Sequence, residues 1–373
     1  ADLRKTSQQI TPKKVMIMAG GTGGHVMPAL AVAQHLQQQG NQIHWLGTQN
    51  GFEARFVPQY GFPISYIEIQ GLRRTTILSW CLAPWRIFKA LIQSLRLLQR
   101  ERPDVVLSMG GYVSGPGAIA AWLLRIPLVL HEQNAIAGWT NRHLSRFAKR
   151  IMVAFPQVFS NKPKKVVFTG NPVRQEILSL DAPQIRFSFA PKDSASVKVL
   201  VLGGSQGAKI LNEVVPQALA LLPQDKRPQV WHQTGKNHLT TTQDAYAQCH
   251  VQANVTDFIQ EMAKAYAWAD IVICRSGALT IAELASVGVC SILIPFPYAV
   301  DDHQTYNAKY LSAHEGAFLL PQSQLSATSL HALIETLINN PQKRLRVAMA
   351  CKDLAKPQAT QDVAKLCLEV SSA

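Results

Sequence analysis

Apolar residues in this chain fall in short runs that close on glycine, each followed by a longer stretch of helical period. The first run, Lys14–Ala19, meets Gly20-Gly21-Thr22-Gly23-Gly24-His25 at once; a helical pattern then covers 28–39 and stops at Gly40. Runs of strand length recur at 43–46, 64–69, 105–109, 128–131, 151–155 and 166–169, mostly with helical patterns between them. Such alternation predicts a parallel sheet with helices on both faces. The pattern breaks at Gly170-Asn171-Pro172-Val173-Arg174 and stays polar and turn-rich over 181–197. It then restarts, with Val199-Leu200-Val201-Leu202 running into Gly203-Gly204-Ser205-Gln206-Gly207-Ala208 and a periodic helix ending near Leu222. Further strands are expected at 229–233, 271–274 and 291–296, residues 255–259 read as a short loop, and 326–371 is helical with a break at Pro357.

A strand, a glycine-rich turn and a helix therefore occur near the start of each half. The economical reading is an α/β protein of two Rossmann-like domains facing across a cleft, and 373 residues suit two cores. The expected division is a loose tail over 1–12, a first domain over 13–173 and a second over 174–357. A last helix, 358–373, would pack back on the first domain.

Chemistry gathers at the predicted strand ends. After the run ending at Cys274, Arg275-Ser276-Gly277-Ala278-Leu279 leads into a helical pattern beginning at Thr280. Ile281, Leu284, Ala285 and Val287 share its apolar face and Glu283 points elsewhere. The next run closes on Pro295-Phe296-Pro297, and Asp301-Asp302-His303-Gln304 leads on to Asn307. In an open parallel sheet such positions are where ligands sit, and helix N-termini there offer free N–H groups to phosphate. An ordinary βαβ unit has the same outline. The Gly20–Gly24 segment has four glycines in five positions, more than a turn needs, which favours backbone N–H groups approaching an anion. The dinucleotide fingerprint fails: its third glycine falls at Val26, and no acidic residue directly follows the second strand.

Charge adds a second theme. The formal net charge of +14 points to an anionic partner. Between 71 and 102, Arg73, Arg74, Arg86, Lys89, Arg96, Arg100 and Arg102 face a single acid, Glu101, with Trp80, Trp85 and Phe88 interleaved. This suits a patch at the headgroup level of an anionic bilayer, although the helix after Pro84 also reads as core-facing. Nucleic-acid binding would leave the glycine loops unexplained and has no reader motif here. The apolar stretch 77–98 is interrupted by Pro84, Arg86, Lys89 and Arg96, so no membrane span is expected, and the polar residues 1–14 carry no signal-like apolar segment. Six scattered cysteines without a C-x-x-C pair read as reduced thiols rather than zinc ligands or disulfides.

The block from Arg275 to Thr280 with Glu283, then Pro295-Phe296-Pro297 and His303-Gln304 with Asn307, resembles the nucleotide-sugar site of the MurG family. These are bacterial peptidoglycan N-acetylglucosaminyltransferases of GT-B fold. Gly20–His25, Met109-Gly110-Gly111-Tyr112-Val113-Ser114-Gly115-Pro116, His131-Glu132-Gln133-Asn134 and Gly170–Arg174 are similar to further motifs of the family. The resemblance runs from residue 15 to about 361 and departs at Arg74, where relatives often have glycine, and at Cys290, in place of a usual proline.

The resemblance implies inverting transfer of N-acetylglucosamine from UDP-GlcNAc to the 4-hydroxyl of undecaprenyl-pyrophosphoryl-MurNAc-pentapeptide, lipid I to lipid II. It implies substrate contacts from Thr22, Gly23, Gly24, Asn134, Arg174, Ser205, Phe258 and Ile259. It implies more from Ala278, Leu279, Thr280, Ile281, Ala282, Glu283 and Gln304. The acceptor side would hold Tyr112, Ser114 and His131. His25 is the expected general base, with Glu132 as runner-up. The membrane patch would use Arg73, Arg74, Trp80, Trp85, Arg86 and Lys89. No metal or cofactor is expected, because no carboxylate pair with metal spacing stands beside the diphosphate block. The expected location is peripheral, on the cytoplasmic face of the bacterial inner membrane, with other cell-wall synthesis proteins as possible partners and no nucleic acid. Another GT-B enzyme, such as a UDP-GlcNAc 2-epimerase or a glycolipid synthase, and a non-catalytic UDP-sugar sensor are the alternatives. The basic stretch speaks against a soluble epimerase.

Overall fold

The structure is a computed structural model that describes residues 11–69, 77–188, 197–204 and 207–371, with 77–82 and 188 described in backbone only. Most of the tail expected over 1–12, together with Arg73, Arg74 and Ser205, lies outside the described residues, as does the side chain of Trp80.

The first half runs β1 (Lys14–Ala19), α1 (Gly23–Gln38), β2 (Gln42–Gly47), α2 (Phe52–Phe56), β3 (Ile64–Tyr66), α3 (Ile77–Glu101), β4 (Val105–Gly110), α4 (Ser114–Leu123), β5 (Leu128–Glu132), α5 (Trp139–Leu144), β6 (Arg150–Val153) and β7 (Val166–Phe168). These strands form one parallel sheet in the order β3-β2-β1-β4-β5-β6-β7. The second half runs α6 (Gln175–Leu178), α7 (Pro183–Ser188), β8 (Lys198–Leu202), α8 (Lys209–Ala220), β9 (Gln229–Gln233), α9 (Leu239–Gln248), β10 (Asn254–Thr256), α10 (Met262–Trp268), β11 (Ile271–Cys274), α11 (Ala278–Val287), β12 (Cys290–Leu293), α12 (His303–Ser312), β13 (Phe318–Leu319), α13 (Ala327–Asn339), α14 (Pro341–Asp353) and α15 (Ala359–Ser371). Its parallel sheet has the order β10-β9-β8-β11-β12-β13.

Both faces of each central strand are buried, which is why these strands read as continuous apolar runs. On β1, Val15, Ile17 and Ala19 join a core with α1 and α15, while Met16 and Met18 turn to the opposite core. On β8, Val199 and Val201 join one cluster, and Leu200 and Leu202 join a cluster that also holds Met16 and Met18. One apolar cluster therefore bridges the two sheets. The last helix, α15, places Val363, Ala364 and Cys367 in the core of the first sheet.

Several local expectations need correcting. Helix α1 starts at Gly23 rather than Pro28, so the glycine run itself makes the first turn and Pro28 lies inside the helix. Proline favours the first helical position, where its missing N–H costs nothing, but tertiary packing of Pro28 wins here. Residues 254–256 form a parallel strand against β9 where a loop was expected. The C-terminal helical stretch is broken at Asn340–Pro341 as well as near Pro357; the Asn340 side chain accepts from Lys343 N–H and caps α14. In α3, residues 84–89 are all exposed rather than core-facing, between buried Ala83 and the core-facing turns that start at Ala90.

Candidate active site

Each sheet turns its carboxyl edge to the crevice between the two halves, and contacts from those edges join them. Asn307 is fully buried and acts as a clamp: its Oδ1 accepts from Ala135 N–H at 2.8 Å, and its Nδ2 donates to Asn134 Oδ1 at 3.2 Å and Ser276 O at 3.1 Å. Arg142 on α5 pairs with Asp301 at 2.7 Å. His131, with no exposed surface, places Nε2 2.9 Å from Gly170 O.

On the first side, the loop after β1 packs backbone to backbone on the loop after β4. Gly111 has φ +94, and a Cβ there would stand 2.3 Å from Gly20 O, so only glycine fits. Buried Glu53 pins this loop from beneath, accepting from Gly21 N–H at 2.9 Å, Thr48 N–H at 2.7 Å and Thr48 Oγ at 2.8 Å. Thr22, at the N-cap of α1, makes no side-chain cap, so the first N–H groups of this helix stay open. His25 lies in that first turn, against Gly110, with Nδ1 3.2 Å from Gln133 Oε1.

On the second side, Gly277 stands at the N-cap of α11, again without a side-chain cap, leaving the first N–H groups of the helix free. Ala278, Leu279, Thr280 and Ala282 are part-exposed around that start. Gln304 Oε1 accepts from Ser276 N–H at 3.3 Å and Phe296 N–H at 2.9 Å, which turns its amide NH₂ the other way. Glu283 is 6% exposed; its Oε1 accepts from Arg174 at 3.2 Å and its Oε2 from the Tyr266 hydroxyl at 2.9 Å. Burial pushes this carboxyl up, and Arg174 and Tyr266 act against that. Phe258 is largely exposed beyond β10. Among the described residues, no three His, Cys, Asp or Glu side chains converge as metal ligands would.

The structure thus brings Thr22, Gly23, Gly24, His25 and Asn134 to one wall, and Arg174, Ala278, Leu279, Thr280, Ala282, Glu283 and Gln304 to the other. Other expected contacts point away. The side chains of Ile259 and Ile281 belong to the apolar core. Ser114 is fully buried, and His131 faces the backbone of the link between the halves, so neither presents a group to an acceptor. Of that set only Tyr112 is exposed. The carboxylate of Glu132, 3% exposed, is occupied by Asn134 N–H, Gly138 N–H and Asn141 Nδ2, and it holds the loop after β5. A general base needs an open lone pair towards substrate, so Glu132 is a loop anchor rather than a base. Burial lowers the His131 ring to about 4, which keeps it neutral. Glu53 and Tyr266 were not singled out from sequence, and Gln133 was singled out only as part of His131-Glu132-Gln133-Asn134. Their signal is only position, because the contacts that bring them to Gly21, His25 and Glu283 span 17 residues or more.

Glycosyltransferase family 28 N-terminal domains match residues 15–153, and the C-terminal domains of the same family match 198–365. The UDP-N-acetylglucosamine–N-acetylmuramyl-(pentapeptide) pyrophosphoryl-undecaprenol N-acetylglucosamine transferase of Nitrosomonas europaea is 51% identical over 356 residues, 95% of this chain and 98% of that protein. The crystal structure of Acinetobacter baumannii MurG is similar with a TM-score of 0.81 at 42% identity, covering 96% of this chain and all of that one. A Neisseria meningitidis UDP-GlcNAc 2-epimerase shares the fold alone, with a TM-score of 0.65 at 13% identity and coverage of 95% of this chain and all of that one.

Proposed function

The chain belongs to glycosyltransferase family 28, and from that premise we infer that it transfers N-acetylglucosamine from UDP-GlcNAc to lipid I, giving lipid II for peptidoglycan. The observation that carries this is identity of about half the residues, along nearly the whole chain, to transferases of that name. The transfer joins the muramyl 4-hydroxyl oxygen to the anomeric carbon while the bond from that carbon to the diphosphate breaks.

In this reading the donor diphosphate lies between the two uncapped helix starts, α1 and α11, whose N–H groups and dipoles favour an anion. Gln304 directs its amide NH₂ to the sugar, Glu283 accepts from the ribose through lone pairs not used by Arg174 and Tyr266, and Phe258 lies beside the uracil. The acceptor hydroxyl loses its proton to His25 as UDP departs as an anion. Positioned base catalysis is worth about 10²–10⁴ in rate, and fixed N–H donors at the leaving group add a comparable or larger share. The acceptor- and membrane-side unit is 13–173 with 358–373 packed on it, and the donor unit is 174–357. Incubation with UDP-GlcNAc and a short-chain lipid I analogue should release UDP and give a disaccharide product; folded, UDP-binding protein that makes neither would overturn the assignment.

The same reading places the first domain on the anionic cytoplasmic face of the inner membrane. On α3, Trp85 is 64% exposed, with Ile87 and Phe88 exposed beside it and Arg86 between them; Trp122 and Leu123 at the end of α4 are exposed as well. Among the described residues no helix is long and apolar enough to cross a membrane, and this reading takes attachment to be peripheral. Lys89 pairs with Glu68 at 2.6 Å and contributes less than Arg86. Each free basic group near an anionic surface adds about 1 kcal/mol. Replacing Trp85 and Phe88 with Ser and Arg86 with Gln should release the protein from anionic vesicles while UDP binding stays. Equal retention of the variant would remove the patch from the account.

A further inference from the structure

We propose that Gln133 is a positioning residue that sets the tautomer of His25, holding the proton on Nδ1 and leaving the Nε2 lone pair for the cleft. Gln133 is 1% exposed and follows directly on β5. Its Nε2 donates to the Met109 carbonyl at 2.6 Å, and its Oε1 lies 3.2 Å from His25 Nδ1. The Met109 carbonyl can only accept, so it fixes which end of the amide is nitrogen; reversing the amide would set two acceptor oxygens against each other inside the protein. The oxygen end therefore faces His25, and an amide oxygen facing a ring nitrogen requires an N–H on that nitrogen. In a neutral ring with Nδ1 protonated, Nε2 carries the lone pair.

Two further contacts keep the ring in this pose. Gly110 has φ +104, and a Cβ there would stand 2.7 Å from His25 Nδ1, so the ring rests on bare backbone. The loops beneath are tied together, with Gly20 N–H donating to Gly110 O at 3.3 Å. An amide is well suited to this task because it orients the imidazole without placing a negative charge beside a diphosphate. A carboxylate in the same place would also hold the proton on Nδ1, but it would favour the imidazolium, so that more of the ring is already protonated before the acceptor hydroxyl arrives. The consequence for catalysis rests on reading His25 as the base; the tautomer assignment does not.

The test is ¹⁵N–¹H correlation spectroscopy of histidine-labelled protein at neutral pH, with the His25 signals assigned by their absence in His25→Ala. Wild-type His25 should show a protonated Nδ1 and an unprotonated Nε2. Gln133→Met, which keeps the volume but offers no acceptor, should move the proton towards Nε2. Its kcat should fall at least about tenfold, though less than in His25→Ala, with KM for UDP-GlcNAc nearly unchanged. A wild-type ring protonated on Nε2 overturns the proposal without any variant. So does a Gln133→Met ring that keeps the proton on Nδ1. If the proton moves and kcat does not, Gln133 keeps its role and His25 loses the role of base.

Discussion

Glu283→Gln separates a ribose-reading carboxylate from one that only supports the fold. In the native site its two oxygens accept from Arg174 and Tyr266, and its side chain is 8% exposed against 27% for Arg174. Gln keeps the shape but has one acceptor and one donor end, so either Arg174 or Tyr266 must face an NH₂. Removing one member of a buried pair costs about 3–5 kcal/mol. Arg174 keeps partial contact with solvent, so roughly 1–3 kcal/mol of stability should go. A hydroxyl bond to a charged acceptor is worth about 1.5–3 kcal/mol, so UDP affinity measured by calorimetry should fall by roughly 10- to 150-fold. Loss of affinity alone would also follow from a loosened α11. The decisive comparison is therefore UDP against 2′-deoxy-UDP and 3′-deoxy-UDP. Wild type should prefer UDP, and Glu283→Gln should lose most of that preference for at least one of the hydroxyls. A variant that binds all three more weakly by the same factor would refute ribose contact and leave Glu283 as a support for Arg174.

Gln304→Ala should weaken UDP-GlcNAc by about 1–2 kcal/mol in calorimetry and leave UDP within a fewfold, because only the sugar is expected at its free NH₂; an equal loss for both would move Gln304 off the sugar. Gly110→Ala must place a methyl 2.7 Å from His25 Nδ1 at φ +104, so kcat should fall at least about tenfold while UDP binding holds; unchanged kcat would show that the ring is free to move. Burial lowers His131 to about 4 and His232 to about 3 from an ordinary 6.5, so the unfolded chain binds protons that the folded chain refuses below pH 6.5. Their stabilising contribution is whole above pH 6.5 and is lost as pH falls towards 4 and 3, about 3 kcal/mol for His131 at 1.36 kcal/mol per pH unit. Denaturation between pH 7 and 4 should show a shallower loss in His131→Gln, which keeps a donor for Gly170 O; a curve parallel to wild type would remove His131 from the acid response.

The two-sheet architecture was legible because parallel strands buried on both faces leave continuous apolar runs, and glycine turns mark where they end. The two short edge strands of the second sheet were not. β13 has two residues and β10 three, too few for any period, and both exist because a neighbour supplies the ladder. The first glycine loop and the start of α11 were legible as candidate anion sites for a local reason: an uncapped helix start after a strand has free N–H groups whatever the rest of the fold does. The polar strand ends were legible only as a group. In His131-Glu132-Gln133-Asn134, His131 turns to the link between the halves, Glu132 anchors its own loop, Gln133 meets His25 and Asn134 meets Asn307. Four adjacent polar residues have four different destinations, which depend on partners up to 173 residues away.

Those destinations follow one electrostatic rule. The groups that tie the crevice together are mostly amides. Gln133 joins Met109 to His25, Asn307 joins Ala135, Asn134 and Ser276, and Gln304 joins Ser276 to Phe296. Gln233 does the same behind the second glycine loop, accepting from Gly204 N–H and donating to Gly204 O and Asp257 O. An amide has a donor end and an acceptor end, so it can join loops of either polarity with no net charge. Around a diphosphate that matters, because a carboxylate a few ångströms away would repel the donor at low effective dielectric. The carboxylates that the crevice does contain have their charge directed elsewhere. Glu53 and Glu132 are turned under their loops onto N–H donors, and Glu283 is matched by Arg174. Tying the crevice with uncharged amides, and turning its carboxylates onto N–H donors or Arg174, lets backbone N–H groups set the local field, and those groups favour an anion.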